Sequence, residues 1–179
     1  AYNGQAYKHL RADSLSDGAL EYAQKHLWIT CFLYGLLRPM DGIVPYRMEH
    51  CVTLEATSNK PINQFWKDRL TDVLIGSVKA DDGTLLHLST EEYEHLFDWK
   101  RVCKEVTVIQ PLFYVRQKDG RLKMQAVWAK SCRGAMVRFI LNNRPVTHEE
   151  LSAFSYEGFE FAPQLGDENN PHFVRENIK

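Results

Sequence analysis

Residues 28–49 constrain the fold more than any other stretch, because they join an apolar run to two prolines and a group of polar side chains; they read WITCFLYGLLRPMDGIVPYRME. The run at 28–33 predicts a buried strand, and Pro39 and Pro45 forbid a continuous helix after it. Gly35 gives the chain freedom to turn. Rigid scaffolds commonly place functional side chains on loops at strand ends. We therefore expect a functional loop whose polar residues are Tyr34, Arg38, Asp41, Tyr46, Arg47 and Glu49.

The remainder of the chain shows helical and strand-like patterns in turn. Predicted helices lie at 13–26, with Ser14 near the start, and over PINQFWKDRLTDVLIGSVK from Pro61. A third is capped by Ser89 or Thr90, a fourth lies at 129–142, and the last begins with a capping box of Thr147 and Glu150. Predicted strands lie at 50–54 and 85–88, with a terminal strand at Phe173 and Val174. The Asp119-Gly120 pair predicts an antiparallel hairpin that joins 106–115 to 122–128.

This order of elements predicts the fold class. We expect an α/β chain of mixed α+β character, with a single domain over residues 1–179, a mixed central sheet flanked by helices, and a late antiparallel hairpin. The opening residues, AYNGQAYKHL, read like the middle of a domain and not like a start. We therefore expect a fragment that lacks an N-terminal part.

Composition limits the functional classes. The chain has 22 Lys and Arg against 23 Asp and Glu, so overall charge gives no support to nucleic-acid binding and any such site must be a local cluster. The four cysteines are far apart without a CxxC pair, which indicates reduced, mostly buried thiols in a cytosolic protein. No apolar run reaches the roughly 18 residues that span a bilayer, and no signal-peptide pattern opens the chain. We expect an intracellular protein that is not bound to membranes.

A basic helix face is the first candidate site. On the helix predicted at 129–142, Lys130, Arg133 and Arg138 fall within an arc of roughly 140°, and the apolar side chains take the opposite side. Three cations directed together could neutralise about three phosphates. The alternative is a solvated face with weak surface ion pairs, which composition alone favours.

The loop at 34–49 is the second candidate site. Arg38 and Arg47 carry planar forks of donors suited to phosphate or carboxylate, and Asp41 and Glu49 could hold those forks in place. Tyr34, Tyr46 and the turn at Gly35 would shape the site, since the two rings offer stacking faces. The group could accept a nucleotide base and its phosphate, or a nucleic-acid backbone. It could equally be an internal salt-bridge network that fixes the loop.

Signatures of catalysis are absent from the sequence. The seven histidines show neither HxxxH nor HExxH spacing, so we expect no protein-bound metal. There is no GxGxxG, no P-loop and no GxSxG motif. His50 and Cys51 are adjacent on a predicted strand and would point to opposite faces, which argues against a Cys-His pair. We assign no catalytic residue and no cofactor, and the chain is more consistent with a binding protein than with an enzyme.

Several motifs in a fixed order resemble one known family. The segments LYGLLRPMDGIVPYRMEH, QFWKDRL, IQPLFY, WAKSCRGAMVRFI and FSYEGFEF together resemble the bacterial peroxide-stress protein YaaA family over nearly the whole chain. Two positions depart from the family pattern, because Phe32 stands where a glycine is common and Ser131 stands where a lysine is common.

The resemblance implies a function that composition does not. It implies a cytoplasmic, single-domain α/β protein that binds double-stranded and branched DNA through a positively charged cleft, and that limits oxidative damage to DNA by restraining free iron. The expected phosphate contacts are Arg38, Arg47, Lys130, Arg133 and Arg138. The alternative is an enzyme or binder for a nucleotide or nucleobase that uses residues 34–49 as its pocket.

Overall fold

The computed structural model describes residues 2–46, 48, 52–57 and 59–176. The chain divides into two compact units. Unit A comprises Ala23–Leu85 and Ser89–Val108, and unit B comprises Tyr2–Tyr22, Leu86–Leu88 and Ile109–Lys179. Among the described residues, no helix is both long and apolar enough to cross a membrane.

Helices and short strands follow one another along the chain. The helices are α1 Gln5–Leu10, α2 Asp17–His26, α3 Ile62–Ala80, α4 Trp99–Glu105, α5 Ala126–Asn143 and α6 His148–Ser152. The strands are β1 Ile29–Cys31, β2 Gly35–Leu37, β3 Thr84–Leu86, β4 Thr107–Ile109, β5 Leu112–Arg116, β6 Leu122–Lys123, β7 Ser155–Tyr156, β8 Phe159–Gly166 and β9 Pro171–Glu176. Short 3-10 helices lie at Ala12–Ser14, Glu55–Thr57 and Glu91–Leu96.

Unit A is built around α3. This helix buries one face, which includes Leu70, Leu74 and Val78, because its apolar residues recur every three to four positions. Phe32 belongs to the same buried cluster, and its ring stacks on Tyr93 with 4.5 Å between the ring centroids. The antiparallel hairpin of β1 and β2 therefore lies where its connecting residues contribute to this core.

Unit B is built on a mixed five-stranded sheet. Its strand order is β6-β5-β9-β8-β7, with β5 and β9 parallel and the other neighbours antiparallel. Phe113 and Phe173 lie opposite each other in register and share one face of the sheet. That face packs against α5, where Cys132 and Met136 are fully buried.

The predicted fold class is confirmed, including the mixed sheet and the late hairpin at Asp119-Gly120. The helix from Pro61 is confirmed as α3, and the capping box is confirmed because Thr147 and Glu150 exchange both expected hydrogen bonds. The terminal strand is confirmed as β9, an inner strand of the sheet. The extent of a single domain over 1–179 stays a prediction.

Several element boundaries were wrong. Trp128 lies in α5 and not in a strand, because α5 begins at Ala126. The helix expected from Ser14 begins at Asp17, and the hydroxyl of Ser16 accepts the N–H of Ala19. Residues 91–96 form a 3-10 helix in which the side chain of Thr90 makes no cap. The strand expected at 50–54 lies partly outside the described residues, and Thr53 makes an isolated bridge to Pro61.

Candidate functional site

The opening loop begins with a tight hairpin and not with irregular backbone. The backbone N–H of Tyr34 donates to Sγ of Cys31 at 3.2 Å, and β2 starts at once with Gly35. Gly35 has φ +77°, and a Cβ there would lie 3.0 Å from the side chains of Leu70 and Trp66. Only glycine fits such a backbone conformation at such close range without strain. Gly35 therefore sets the direction in which the loop leaves the hairpin.

Arg38 is held by contacts within the loop region. Its guanidinium lies over the ring of Trp28, 3.4 Å from the centroid, and its Nη1 donates to the carbonyl oxygen of Leu27 at 3.1 Å. Its backbone N–H donates to the Asp41 carboxylate at 2.7 Å. Burial lowers the pKa of Arg38 and the charge of Asp41 partly opposes that effect. Part of the hydrogen-bonding capacity of the Arg38 guanidinium is therefore already used within the protein.

The tyrosines predicted to shape the loop are also engaged. The rings of Tyr34 and Tyr46 meet edge to face with 5.8 Å between centroids. The hydroxyl of Tyr34 accepts the N–H of Val44 at 3.2 Å, and the hydroxyl of Tyr46 lies 2.6 Å from Sγ of Cys31. Arg47 and Glu49 lie outside the described residues. The described contacts fit a network that fixes the loop, and the nucleotide pocket stays a prediction.

Helix α5 carries two cations that have no partner among the described residues. Lys130 is exposed and Arg133 is half-buried, and within the described part of the chain neither side chain has a hydrogen bond or an ion pair. Burial lowers the pKa of Arg133. A guanidinium that loses water without gaining a protein acceptor favours binding of an external anion.

Arg138 differs from the other two cations of the predicted basic face. Its Nη1 donates to the carbonyl oxygens of Leu10 and Arg11 at 3.1 and 2.9 Å, and its Nη2 donates to that of Ser14 at 3.2 Å. These carbonyls belong to the end of α1 and the turn after it, where the carbonyl of Arg11 also accepts from the N–H of Ser14. Arg138 therefore holds α1 against α5, and most of its fork is occupied.

A further cluster in unit B was missed by sequence reasoning. Arg175 of β9 lies over the ring of Trp128 with 4.4 Å to the centroid, and Tyr156 of β7 lies 2.6 Å from the ring of His9. The motifs WAKSCRG and FSYEGFEF contain Trp128 and Tyr156, so the signal was present in the sequence. His9 and Arg175 lie outside both motifs and carry no local signal.

The described cysteines and acids offer no obvious metal or nucleophile site. Cys31 and Cys132 are buried free thiols and Cys103 is an exposed free thiol. Burial raises the pKa of Cys132 to about 12, so this thiol stays neutral at physiological pH. Within the described ranges, no group of three or more His, Cys, Asp or Glu side chains is placed to hold a metal ion.

Comparisons with known proteins give a consistent result. A family model described as peroxide stress protein YaaA matches residues 1–165. The chain is 45% identical to a UPF0246 protein of Bacteroides thetaiotaomicron over 97% of its own length and 67% of the relative's length. It is 46% identical to a UPF0246 protein of Porphyromonas gingivalis, covering 98% of this chain and 69% of that one. A UPF0246 protein of Bacteroides fragilis is 46% identical, with coverage of 97% and 67%.

Proposed function

Because this chain belongs to the peroxide stress protein YaaA family, we propose that it is a cytoplasmic, sequence-nonspecific DNA-binding protein of the peroxide response. Its substrate is double-stranded or branched DNA, and the cations that contact phosphates include Lys130 and Arg133 of α5. Bound in this way, the protein limits oxidative damage to DNA by restraining free iron.

The state of Arg133 carries the proposal. A half-buried guanidinium usually has a carboxylate or carbonyl partner, since its loss of hydration must be compensated. Arg133 has neither among the described residues, and Lys130, three positions earlier on the same helix, is exposed and has no described partner either. A phosphate oxygen is an acceptor that suits both side chains. Arg138 contributes less than the sequence suggested, because it is bonded to backbone carbonyls.

Titration of duplex DNA against salt tests the proposal. Each phosphate contact adds roughly 0.9 to the slope of log affinity against log salt concentration, so Lys130→Ala with Arg133→Ala should reduce the slope by about 2. Fluorescence anisotropy of a labelled duplex of random sequence measures both affinity and slope. The affinity should not depend on the sequence of the duplex, because phosphate contacts carry no base information.

A matched control removes the same charge elsewhere. Lys79 and Arg101 are surface cations paired with Glu105 and Asp72 at 2.7 Å. Lys79→Ala with Arg101→Ala changes net charge equally and should leave the salt slope within experimental error of wild type. Absence of duplex binding at low salt, or equal slopes for the two double variants, would refute the proposed phosphate contacts.

The iron component needs a test in cells. Wild-type protein, expressed in bacteria that lack their own family member, should lower both chelatable iron and DNA strand breaks after a peroxide challenge. Chelatable iron is measured by electron paramagnetic resonance of its chelator complex. The variant with Lys130→Ala and Arg133→Ala should lose most of the protection of DNA. Chelatable iron that is the same with and without the wild-type protein would contradict the iron component alone.

A further inference from the structure

Arg175 has a buried donor that meets no acceptor among the described residues. Its guanidinium lies over the ring of Trp128, and the Nη1 atom is buried without a hydrogen-bond partner among the described residues. Its aliphatic part runs along Gly158, where a Cβ would lie 3.7 Å from Cγ and 3.9 Å from Nε. A charged donor left in this state costs free energy, so a native structure is expected to supply an acceptor.

Tyr156 lies at the same corner of unit B. It pairs in register with Phe159 across the two-residue turn that contains Gly158. The Phe159 ring lies 5.8 Å from the Trp128 ring, between centroids. Trp128 therefore contacts both Arg175 and Phe159 of the β7–β8 hairpin.

A chain of hydrogen bonds orients the Tyr156 hydroxyl. The hydroxyl of Ser131 donates to the carbonyl of Val127 at 3.0 Å, and its oxygen accepts a hydrogen bond from Nε2 of Gln5 at 3.2 Å. The same Gln5 amide lies 3.1 Å from Nε2 of His9 and donates to it. A neutral imidazole that accepts at Nε2 carries its proton on Nδ1. His9 therefore donates from Nδ1 to the Tyr156 oxygen, 2.6 Å away.

The Tyr156 O–H is thereby available as a donor to a ligand. Burial raises the pKa of Tyr156, and the nearby charge of Glu157 adds to that effect, so the phenol keeps its proton at physiological pH. Cys132 lies near both groups, because the charge of Arg175 opposes the rise in the pKa of Cys132 and Cys132 in turn raises the pKa of Tyr156, but it stays a neutral thiol. The cluster therefore presents hydrogen-bond donors and no nucleophile.

We propose that unit B contains an oxyanion site in which Nη1 of Arg175 and the hydroxyl of Tyr156 donate to a phosphate group. Trp128 holds the guanidinium in place, and the relay from Ser131 through Gln5 and His9 holds the phenol. Inorganic phosphate, a free nucleotide and a DNA 5′-phosphate share the required chemistry. The site uses none of the cations of the proposed duplex contact, so either proposal can be refuted without refuting the other.

Calorimetric titration with inorganic phosphate in chloride buffer, at constant ionic strength, tests the site. Wild type should show saturable binding, and Arg175→Gln should abolish it. Tyr156→Phe removes one hydrogen bond to a charged group and should weaken binding by roughly tenfold or more. Arg121→Gln is the matched control, because Arg121 is an exposed arginine paired with Asp119, and it should bind phosphate as wild type does.

A variant expected to bind phosphate more tightly is included, because misfolding would weaken binding and could not strengthen it. Glu157 is exposed in the β7–β8 turn, and its carboxylate opposes an anion at this corner. Glu157→Gln should therefore strengthen phosphate binding by a few-fold, since it removes a like charge that solvent partly screens. Absence of saturable binding in wild type, or equal affinity in wild type and Arg175→Gln, would overturn the proposal and assign the buried donor to water.

Three ligands distinguish the sources of the phosphate. Adenosine monophosphate, a short duplex with 5′-phosphates and the same duplex without them are compared with inorganic phosphate. A DNA end is supported if Arg175→Gln weakens only the phosphorylated duplex, and a free nucleotide is supported if it weakens only the monophosphate. Lys130→Ala alone should leave phosphate binding unchanged, because Lys130 is not among the charges that act on Cys132 at this corner, so failure of the duplex proposal is separable from failure of this one.

Discussion

Replacing His87 with glutamine should remove about 3 kcal/mol of the loss of stability that acid causes between pH 6.5 and 4. His87 is only 7% exposed, and its backbone N–H donates to the carbonyl of Ile109 at 2.8 Å. Burial, and secondarily the charge of Arg133, lowers the pKa of His87 from 6.5 to about 4. The folded protein therefore keeps a neutral imidazole in a range where the unfolded chain binds a proton.

The sign of the effect follows from that difference. Below pH 6.5 the unfolded chain binds a proton at His87, whereas the folded protein binds one there only near pH 4. Acid therefore favours the unfolded state. The stability that depends on neutral His87 is fully present above pH 6.5, falls as pH drops, and levels off below about pH 4. Urea unfolding at several pH values measures this dependence.

Comparison of slopes isolates the contribution of His87 from that of other groups. His95→Gln is the control, because it makes the same replacement at an exposed histidine. Arg133→Met should make the loss of stability in acid somewhat smaller, because it removes a positive charge that disfavours protonation of His87. If the free energy of unfolding falls by the same amount in wild type and in His87→Gln from pH 7 to pH 4, the folded protein does not keep His87 as a buried neutral imidazole.

Gly134→Ala should lower the free energy of unfolding by about 2 kcal/mol and the melting temperature by roughly 5 °C. A Cβ at Gly134 would meet the carbonyl oxygen of Ala6, and its distance to the carbonyl carbon would be 2.7 Å. The obstacle is backbone of α1, which cannot move away as a flexible side chain could. The overpacking exceeds the gain of about 1 kcal/mol that alanine brings to a helix interior.

Gly76→Ala provides the opposite result in the same protein. Gly76 is exposed within α3, and a Cβ there would meet no atom of the described residues within 4 Å. This change should stabilise the protein by up to about 1 kcal/mol, because only helix propensity changes. Thermal unfolding measures both variants, and hydrogen exchange should show faster exchange over α1 in Gly134→Ala alone. Equal stability of the two variants would contradict close packing of α1 on α5.

Some elements could be predicted because their cause is local. The Asp119-Gly120 turn closes with Gly120 at φ +81°, and the N–H of Gln117 donates to the carbonyl of Arg121. The capping box of Thr147 and Glu150 needs only the residues of its own first turn. Helix α3 follows from the spacing of its apolar residues. In each case the interacting groups lie within a few positions of one another.

Other elements could not be predicted because the same residues suit two structures. Residues 35–37 look like part of a loop, yet they form β2 because pairing with β1 supplies their partners. Trp128 suits a strand by composition, but it lies in α5 and packs against Phe159 and Arg175. Long-range pairing outweighs local preference in both places.

Helical periodicity alone was enough to place Lys130, Arg133 and Arg138 on one side of α5. The groups that each of these cations meets depend on how the chain folds. Arg138 donates to the carbonyls at the end of α1, whereas Arg133 is half-buried near His87 and has no acceptor in the part of the chain that the structure describes. Periodicity fixes a direction around a helix, but the groups found in that direction come from distant parts of the chain, such as Leu10 for Arg138 and His87 for Arg133.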